Sequence, residues 1–245
     1  MKKIVFRPVA LVATFFLGCL FVFALYYFVP IPYVPQPELL PATERFDCVD
    51  SKSFPGISKQ ISELKKGKSG YFPKDKFSGK WEKADSFMND WYGNHLKAMG
   101  EKSLLNVSDK NAEIYRFLWL RSFHHPIFVR IERNRTEIKL FTKELDGAGG
   151  YEPGKVFRSN EVKLKQEEFC DFLKLLEKAD YWRLPTKNDD YSGEDGAQWI
   201  LEGVKENRYH VVDRWTPEKG DYRAACIYLL KLSGVDTDRL KDDLY

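Results

Sequence analysis

The chain has 245 residues, of which 43% are hydrophobic and 31% are charged, a composition typical of a globular protein. Its formal net charge of +3 comes from Lys2, Lys3 and Arg7, because 36 acidic and 36 basic residues follow residue 37. Binding to nucleic acid needs a cationic surface that displaces counterions. The balanced charge therefore argues against a nucleic-acid partner.

An uncharged run near the start of the chain predicts a transmembrane helix at residues 9–29. All of its 21 residues except Thr14 and Gly18 are plainly apolar. At 1.5 Å per residue, a helix of this length crosses a hydrocarbon core of about 30 Å. Basic residues precede the run and the first charge after it is acidic, which places residues 1–8 in the cytoplasm. A cleaved signal peptide, with its small-residue site near residues 22–24, is the alternative.

Residues 30–45 predict a proline-rich stalk. Five of the twelve prolines fall between residues 30 and 41, and such a segment favours extended polyproline II over a helix. Residues 46–245 then form the extracytoplasmic domain of a single-pass membrane protein. Within it, residues 59–83 hold eight lysines and three acidic residues, which form a solvated face or contact an anionic surface.

Apolar residues spaced by three and four predict four helices. They are expected at residues 57–64, 85–105, 166–179 and 222–232, with a loop from the first helix through Lys80. Phe87, Trp91 and Met99 form an apolar stripe on the longest helix, which we interpret as core. His95 lies at the margin of the stripe and is interpreted as a packing or surface histidine.

Alternating apolar residues predict six strands. They are expected at residues 115–123, 127–133, 137–145, 156–164, 197–204 and 209–215. The first of these strands is apolar on both faces. Helices segregated from antiparallel strands are typical of the α+β class, so we expect an antiparallel sheet with the helices packed on one face, preceded by the single transmembrane helix.

Three cysteines follow the transmembrane segment: Cys48, Cys170 and Cys226. An oxidising compartment permits one disulfide bond among them and leaves one thiol. Cys170 and Cys226 both fall on helices that should pack on one sheet, so this pair is favoured if a bond forms. Buried free thiols are an equal alternative.

The densest polar and aromatic cluster lies in the last two predicted strands. A two-residue turn at Glu206 and Asn207, where asparagine tolerates the left-handed conformation, sets the register of this hairpin. Trp199 then faces Arg214. We expect the Arg214 guanidinium to cover the Trp199 ring in a cation–π contact.

The same register places Glu202 and Asp213 on one face as diagonal neighbours, about 7 Å apart. Two such carboxylates can act as general acid and base when burial separates their pKa values, and the spacing lies between those of retaining and inverting glycosidases. With His210 and Arg214 nearby, these four residues are the candidate catalytic group. The alternative is structural: buried, hydrogen-bonded ion pairs that tie the hairpin to neighbouring elements.

Three other patterns predict neither a metal nor a cofactor. His124 and His125 are adjacent on a strand and point to opposite faces, so they cannot chelate one ion together. The acidic residues of segment 189–195 lack the spacing of an EF-hand. The glycines of segment 146–150 precede no helix, which a phosphate cradle needs.

Five segments resemble a group of bacterial envelope proteins: WYGNHL (91–96), YRFLWL (115–120), DGAGGY (146–151), DGAQWILEG (195–203) and YHVVDRW (209–215). The resemblance covers about residues 85–235. It implies a bacterial envelope protein, and it carries over no catalytic residue because no activity is assigned to the group.

The sequence favours an inner-membrane protein whose periplasmic domain is a binding or scaffold module, because no motif assembles a nucleophile, a base and an oxyanion site. The expected partners are the lipid bilayer, through residues 9–29, and an envelope protein or a glycan. The alternative is an envelope hydrolase of a glycan or peptide that uses Glu202 and Asp213 as acid and base.

Overall fold

The computed structural model describes residues 48, 59–65, 68–77, 83–187, 193, 195–237 and 245. The elements are, in chain order, β1 (Lys59–Gln60), α1 (Ile61–Lys65), β2 (Lys68–Ser69), β3 (Phe72–Pro73), α2 (Ala84–Ala98), β4 (Glu113–Arg121), β5 (Ile127–Arg133), β6 (Ile138–Leu145), β7 (Val156–Lys163), α3 (Gln166–Lys178), β8 (Ala197–Lys205), β9 (Arg208–Trp215) and α4 (Asp221–Leu232).

Seven strands form one antiparallel sheet in the order β1-β9-β8-β4-β5-β6-β7. β2 and β3 form a separate two-stranded hairpin. The sheet has β8 and β4 near its centre, where they pair along most of their length. The prediction of an α+β domain with an antiparallel sheet is confirmed.

Helices cover both faces of the sheet, which corrects the expectation that they pack on one. Tyr115, Phe117 and Trp119 of β4 share a core with α3 and α4. Ile114 and Leu118 belong to a second core with α2 on the opposite face. Successive side chains of a strand point to opposite faces, so a strand that is apolar on both sides needs a layer on each side. That apolar pattern was the sequence signal for two layers.

The segment before β4 differs most from the prediction. The helix expected over residues 85–105 ends at Ala98, and Gly100 follows with φ 69°, a conformation that favours glycine. The loop expected to run through Lys80 contains the β2–β3 hairpin, whose Phe72 is fully buried. Residue 80 itself and the first residues of the helix predicted over 57–64 lie outside the described residues.

The β8–β9 hairpin has the register that its two-residue turn predicts. Trp199 pairs with Arg214. Glu206 and Asn207 have φ of 50° and 59°, and two successive positive values are typical of a type I′ turn. Because this turn twists in the same sense as the strands, it fixes the register along the whole hairpin.

A disulfide bond joins Cys48 to Cys170 on α3. The favoured pairing of Cys170 with Cys226 is therefore wrong. Cys226 is a fully buried free thiol on the face of α4 that packs against the sheet, and burial raises its pKa. Cys170 is only partly buried on α3, where Cys48 reaches it.

Several predicted features lie outside the described residues: the transmembrane helix at 9–29, the stalk at 30–45 and the acidic Asp189, Asp190 and Glu194. Within the described ranges, no helix has the length and apolar character needed to cross a membrane.

Candidate functional site

Glu202 of β8 lies directly opposite Arg116 of β4 and is 1% exposed. Nε of Arg116 donates a hydrogen bond to Oε2 of Glu202 at 2.7 Å, and the Tyr209 hydroxyl donates to Oε1 at 2.9 Å. Burial raises the pKa of Glu202, and Arg116 and Tyr209 oppose that rise. Partners from β4 and β9 therefore enclose the carboxylate.

Asp213 of β9 is 2% exposed and lies beneath α2. The Tyr92 hydroxyl donates to its Oδ2 at 3.0 Å, and Lys187 Nζ lies 3.8 Å from the same oxygen. Burial raises the pKa of Asp213 to about 6, against the opposing effects of Lys187 and Tyr92. Its backbone N–H donates to Thr186 O at 2.7 Å, so the residue joins β9 to α2 and to the segment before β8.

The two carboxylates lie on the same face of the hairpin, but each is enclosed by its own partners. A general acid or base must come within hydrogen-bond reach of the group on which it acts. At 1% and 2% exposure, Glu202 and Asp213 offer no such access to a substrate. The geometry therefore supports the structural alternative, in which the pair ties the hairpin to β4 and α2.

His210 and Arg214 lie on the opposite face of the hairpin from the two carboxylates, since their positions alternate with that of Asp213 along β9. His210 packs against the rings of Tyr181 and Trp182, at centroid distances of 5.1 and 6.1 Å. Burial lowers its pKa to about 4, so it is uncharged at neutral pH. The structure does not bring the four candidate residues together.

The predicted contact of Arg214 with Trp199 is wrong. Arg214 donates to the backbone oxygens of Pro185 and Thr186 at 3.0 and 2.9 Å. Its guanidinium lies 5.7 Å from the centre of the Tyr222 ring. Arg223 of α4 instead covers Trp199, at 5.6 Å. The register predicted which positions face each other, but the carbonyl acceptors that draw Arg214 away come from a distant segment.

His124 and His125 are not on a strand, because β4 ends at Arg121. Nδ1 of His124 lies 2.8 Å from the Tyr245 hydroxyl, and Nδ1 of His125 lies 3.2 Å from Glu144 Oε1. Within the described residues, no group of three or more His, Cys, Asp or Glu side chains is arranged to hold a metal ion.

A cleft of about 620 Å³ opens where α2, the loop 146–154 and the open end of the β8–β9 hairpin meet. Trp91 lines it from α2, Tyr151 from the loop, and Gln198 and Trp215 from the hairpin. The volume falls in the range of small-molecule sites. Sequence reasoning missed this site because its residues come from three separate segments.

Aromatic rings form the walls of the cleft. Phe87 is 52% exposed and Tyr151 is 65% exposed. This exposure shows that the interpretation of Phe87 as core is wrong. The Phe87 ring instead lies 6.0 Å from the Trp91 ring, measured between ring centres. Tyr92 and Leu96 form the core face of α2 together with Met99 at its C-cap, so the interpretation of Met99 as core is confirmed. Exposed aromatic residues that cluster mark binding surfaces more often than scattered ones do.

The glycine loop after β6 holds the cleft in place. Gly149 N donates to His124 O at 3.0 Å, Gly150 N to Ser122 O at 3.2 Å, and the Trp91 indole N–H to Gly149 O at 2.9 Å. A Cβ on Gly149 would lie 2.5 Å from the backbone nitrogen of Arg121. The loop therefore needs glycine for close packing on β4, and it positions Trp91.

Polar groups line the same cleft. Asp90, Glu152 and Asp195 carry exposed carboxylates, and among the described residues none of them has an ion-pair partner. Gln198 is 5% exposed, and its side-chain amide has no hydrogen bond to the part of the chain that the structure describes.

His95 also lines the cleft. Its Nδ1 lies 3.0 Å from Trp91 O. Burial lowers the pKa of His95, while the Trp91 and Ala148 carbonyls and Glu152 oppose this change.

A second cleft of about 550 Å³ surrounds Glu101. Oxygens of Glu101 lie 3.0 Å from both Arg130 Nε and Lys143 Nζ, and 3.9 Å from Arg116 Nη1. Arg116 also pairs with Glu202, and Arg130 with Glu132, so three carboxylates balance three cations here. This pairing distinguishes the Glu101 cluster from the aromatic cleft, whose carboxylates have no ion-pair partner among the described residues.

The chain matches no protein-family profile, and no curated protein or solved structure is significantly similar to it. The resemblance to bacterial envelope proteins therefore stays a prediction, and the site is the basis for inferring function.

Proposed function

We propose that the chain is a membrane-anchored protein of the bacterial envelope whose extracytoplasmic α+β domain binds a ligand in the aromatic cleft between α2 and the loop 146–154. One observation carries the binding proposal: Phe87 and Tyr151 present more than half of their surface beside a cleft whose carboxylates have no ion-pair partner in the part of the chain that the structure describes. Apolar walls with a few polar groups are the usual composition of a ligand site.

The cleft favours binding over catalysis. Its serine, Ser122, donates to Gly196 O at 3.0 Å and accepts from Gly196 N at 3.1 Å, so the hydroxyl is already engaged. The strongly shifted carboxyl and imidazole groups, Asp213 and His210, lie in the core instead. Catalytic groups with shifted pKa values are expected to face the substrate.

Two features support the extracytoplasmic location. The apolar run at residues 9–29 is long enough to anchor the chain. The bond between Cys48 and Cys170 belongs to an oxidising compartment. The periplasm of a bacterium, reached by a helix whose N-terminus stays in the cytoplasm, satisfies both.

Protease treatment of spheroplasts tests the location. The full chain, expressed in bacterial cells, is expected to stay with the membrane through an alkaline wash and to lose its domain to external protease once the outer membrane is opened. A domain that is digested only after the inner membrane is lysed would contradict the proposed topology.

Binding arrays of glycans and peptides, probed with the full chain in detergent, test the cleft. The double variant Phe87→Ala/Tyr151→Ala is expected to abolish binding. Phe157→Ala is the matched control, because Phe157 is 50% exposed but does not line the cleft. A ligand held equally by both variants, or no ligand at all, would contradict the proposal.

A further inference from the structure

The aromatic cleft has an unbalanced negative charge. Asp90, Glu152 and Asp195 line it, and no lysine or arginine does so among the described residues. His95 adds no positive charge near neutral pH, because burial lowers its pKa. An anionic ligand is therefore disfavoured.

The aromatic walls suit a cation. Ring faces carry partial negative charge and attract ammonium and guanidinium groups within about 6 Å. The hydrogen bond from the Trp91 indole to Gly149 O fixes one ring, and Phe87 lies beside it. Tyr151 is supported by Phe123, at 6.1 Å between ring centres. The Trp91 ring is thus fixed before a ligand arrives.

Gln198 adds a group that can recognise N–H donors. It is 95% buried, yet its amide has no hydrogen-bond partner among the described residues. The amide atoms are not sealed from solvent, so a ligand can reach them and replace a hydrogen bond to water. Gln198 lines the cleft, and its carbonyl oxygen can accept a hydrogen bond from an ammonium or a guanidinium group.

We propose that the cleft binds an organic cation that carries N–H groups, an alkylammonium or a guanidinium, between the Phe87, Trp91 and Tyr151 rings and the three carboxylates. This inference rests on the proposed function and names its ligand class. The same chemistry is offered by a free polyamine and by a lysine or arginine side chain of a peptide. A neutral saccharide, which also packs on aromatic rings, is the rival ligand.

Isothermal titration calorimetry of the full chain with blocked amino acids tests whether the ligand must carry a positive charge. The chain is held in a polyoxyethylene detergent, whose headgroup has neither a charge nor a sugar. N-acetylarginine amide and N-acetylcitrulline amide have nearly the same shape, but only the first is charged. We expect the arginine compound to bind at least about tenfold more tightly. Equal affinities of the two compounds, or no binding of either the arginine compound or spermidine, would overturn the inference.

Neutralising the carboxylates tests their role. The triple variant Asp90→Asn/Glu152→Gln/Asp195→Asn is expected to weaken arginine binding at least about tenfold and to leave the citrulline titration unchanged. The control removes three exposed charges from α3, on the other face of the sheet, through Glu167→Gln/Asp171→Asn/Glu177→Gln. Both variants change the net charge equally. Equal weakening by the two would mean that only the net charge matters, which contradicts the site.

Spermidine and an arginine-containing hexapeptide distinguish the two sources. Tighter binding of spermidine than of the peptide assigns a free polyamine, and the reverse assigns a basic peptide; either result supports the inference. A neutral saccharide that binds and is lost in Phe87→Ala/Tyr151→Ala would overturn the cation while leaving the proposed function intact. If no probe depends on Phe87 and Tyr151, both proposals fail.

Discussion

Arg116 and Glu202 face each other across the two central strands, with Nε of Arg116 2.7 Å from Oε2 of Glu202. Both side chains are at most 1% exposed. Nη1 of Arg116 also donates to Lys102 O at 2.7 Å, so the guanidinium links β8 to the segment that follows α2. A buried charge without a partner is strongly unfavourable, and this link therefore depends on both charges.

Glu202→Gln removes one charge and leaves the other buried. We expect the free energy of unfolding to fall by about 3–5 kcal/mol. The double variant Arg116→Met/Glu202→Met removes both charges and is expected to lose less than the single variant. Urea denaturation followed by circular dichroism measures each value.

Glu161→Gln is the control for this experiment. Glu161 is exposed on β7 and pairs with Lys139 at 2.9 Å. Exposed ion pairs contribute little to stability, so the unfolding curve should be almost unchanged. If Glu202→Gln were equally harmless, the buried pair would not hold the central strands.

Asp213 predicts a pH dependence of stability. Its pKa is about 6 in the folded chain, against 3.8 for an ordinary aspartate. Because the folded chain binds the proton more tightly, the protonated carboxyl stabilises it. This stabilisation is complete below pH 3.8 and is lost as the pH rises through about 6. The change amounts to about 3 kcal/mol. Asp213→Asn, which cannot ionise, is therefore expected to gain stability relative to the parent between pH 4 and 7.

His210 acts in the opposite sense, so the comparison with Asp213→Asn has to be made at each pH. The lowered pKa of His210, about 4, gives stability above the ordinary value of 6.5 that is lost as the pH falls through about 4. Subtracting the two unfolding curves removes this shared contribution. If the difference in free energy of unfolding between the parent and Asp213→Asn stayed constant from pH 4 to 7, the raised pKa of Asp213 would be ruled out.

The Cys48–Cys170 bond spans 122 residues of sequence. Closing so long a loop restricts the unfolded chain, and its loss is expected to lower the free energy of unfolding by about 2–5 kcal/mol. A reductant should therefore shift the urea midpoint of the parent chain. It should have no effect on Cys48→Ser, and a shift in that variant would show that the reductant acts elsewhere.

Cys226 should resist thiol reagents until the chain unfolds, because it is fully buried.

Local patterns predicted the parts of the fold that local forces determine. The strand at residues 127–133 has the predicted bounds, because its alternation is clear and Pro126 precedes it. The Glu206–Asn207 turn predicted the hairpin register, because a two-residue turn determines which residues of the two strands face each other. Burial of Glu202 and Asp213 was foreseen only as an alternative, since it depends on α2 and β4 rather than on the hairpin.

The cleft depended on distant contacts that no spacing in the sequence contains. Phe87 fits one apolar stripe with Trp91, and Tyr92 fits another with Leu96. Only the position of α2 on the sheet decides that Tyr92 is buried and Phe87 exposed. The glycines of the loop 146–154 were a usable signal, because glycine permits close approach of backbones. Their partner, the end of β4, could not be read from the sequence.

Gly149→Ala tests whether the loop positions the cleft. The new Cβ would lie 2.5–2.6 Å from backbone atoms of Arg121 and Leu120, which cannot move without disturbing β4. We expect the loop to shift, the bond from Trp91 to Gly149 O to break, and the free energy of unfolding to fall by about 1–3 kcal/mol. Ligand binding in the cleft should be lost or greatly weakened, as measured by titration.

Gly100→Ala is the matched control for Gly149→Ala. Its added Cβ meets nothing within 4 Å, but its φ of 69° strains any other residue. We expect it to lower the free energy of unfolding by about 1 kcal/mol and to leave cleft binding unchanged. The two variants thus separate a general loss of stability from a loss of cleft geometry. If both weakened binding in proportion to their stability, the loop would have no specific part in positioning Trp91.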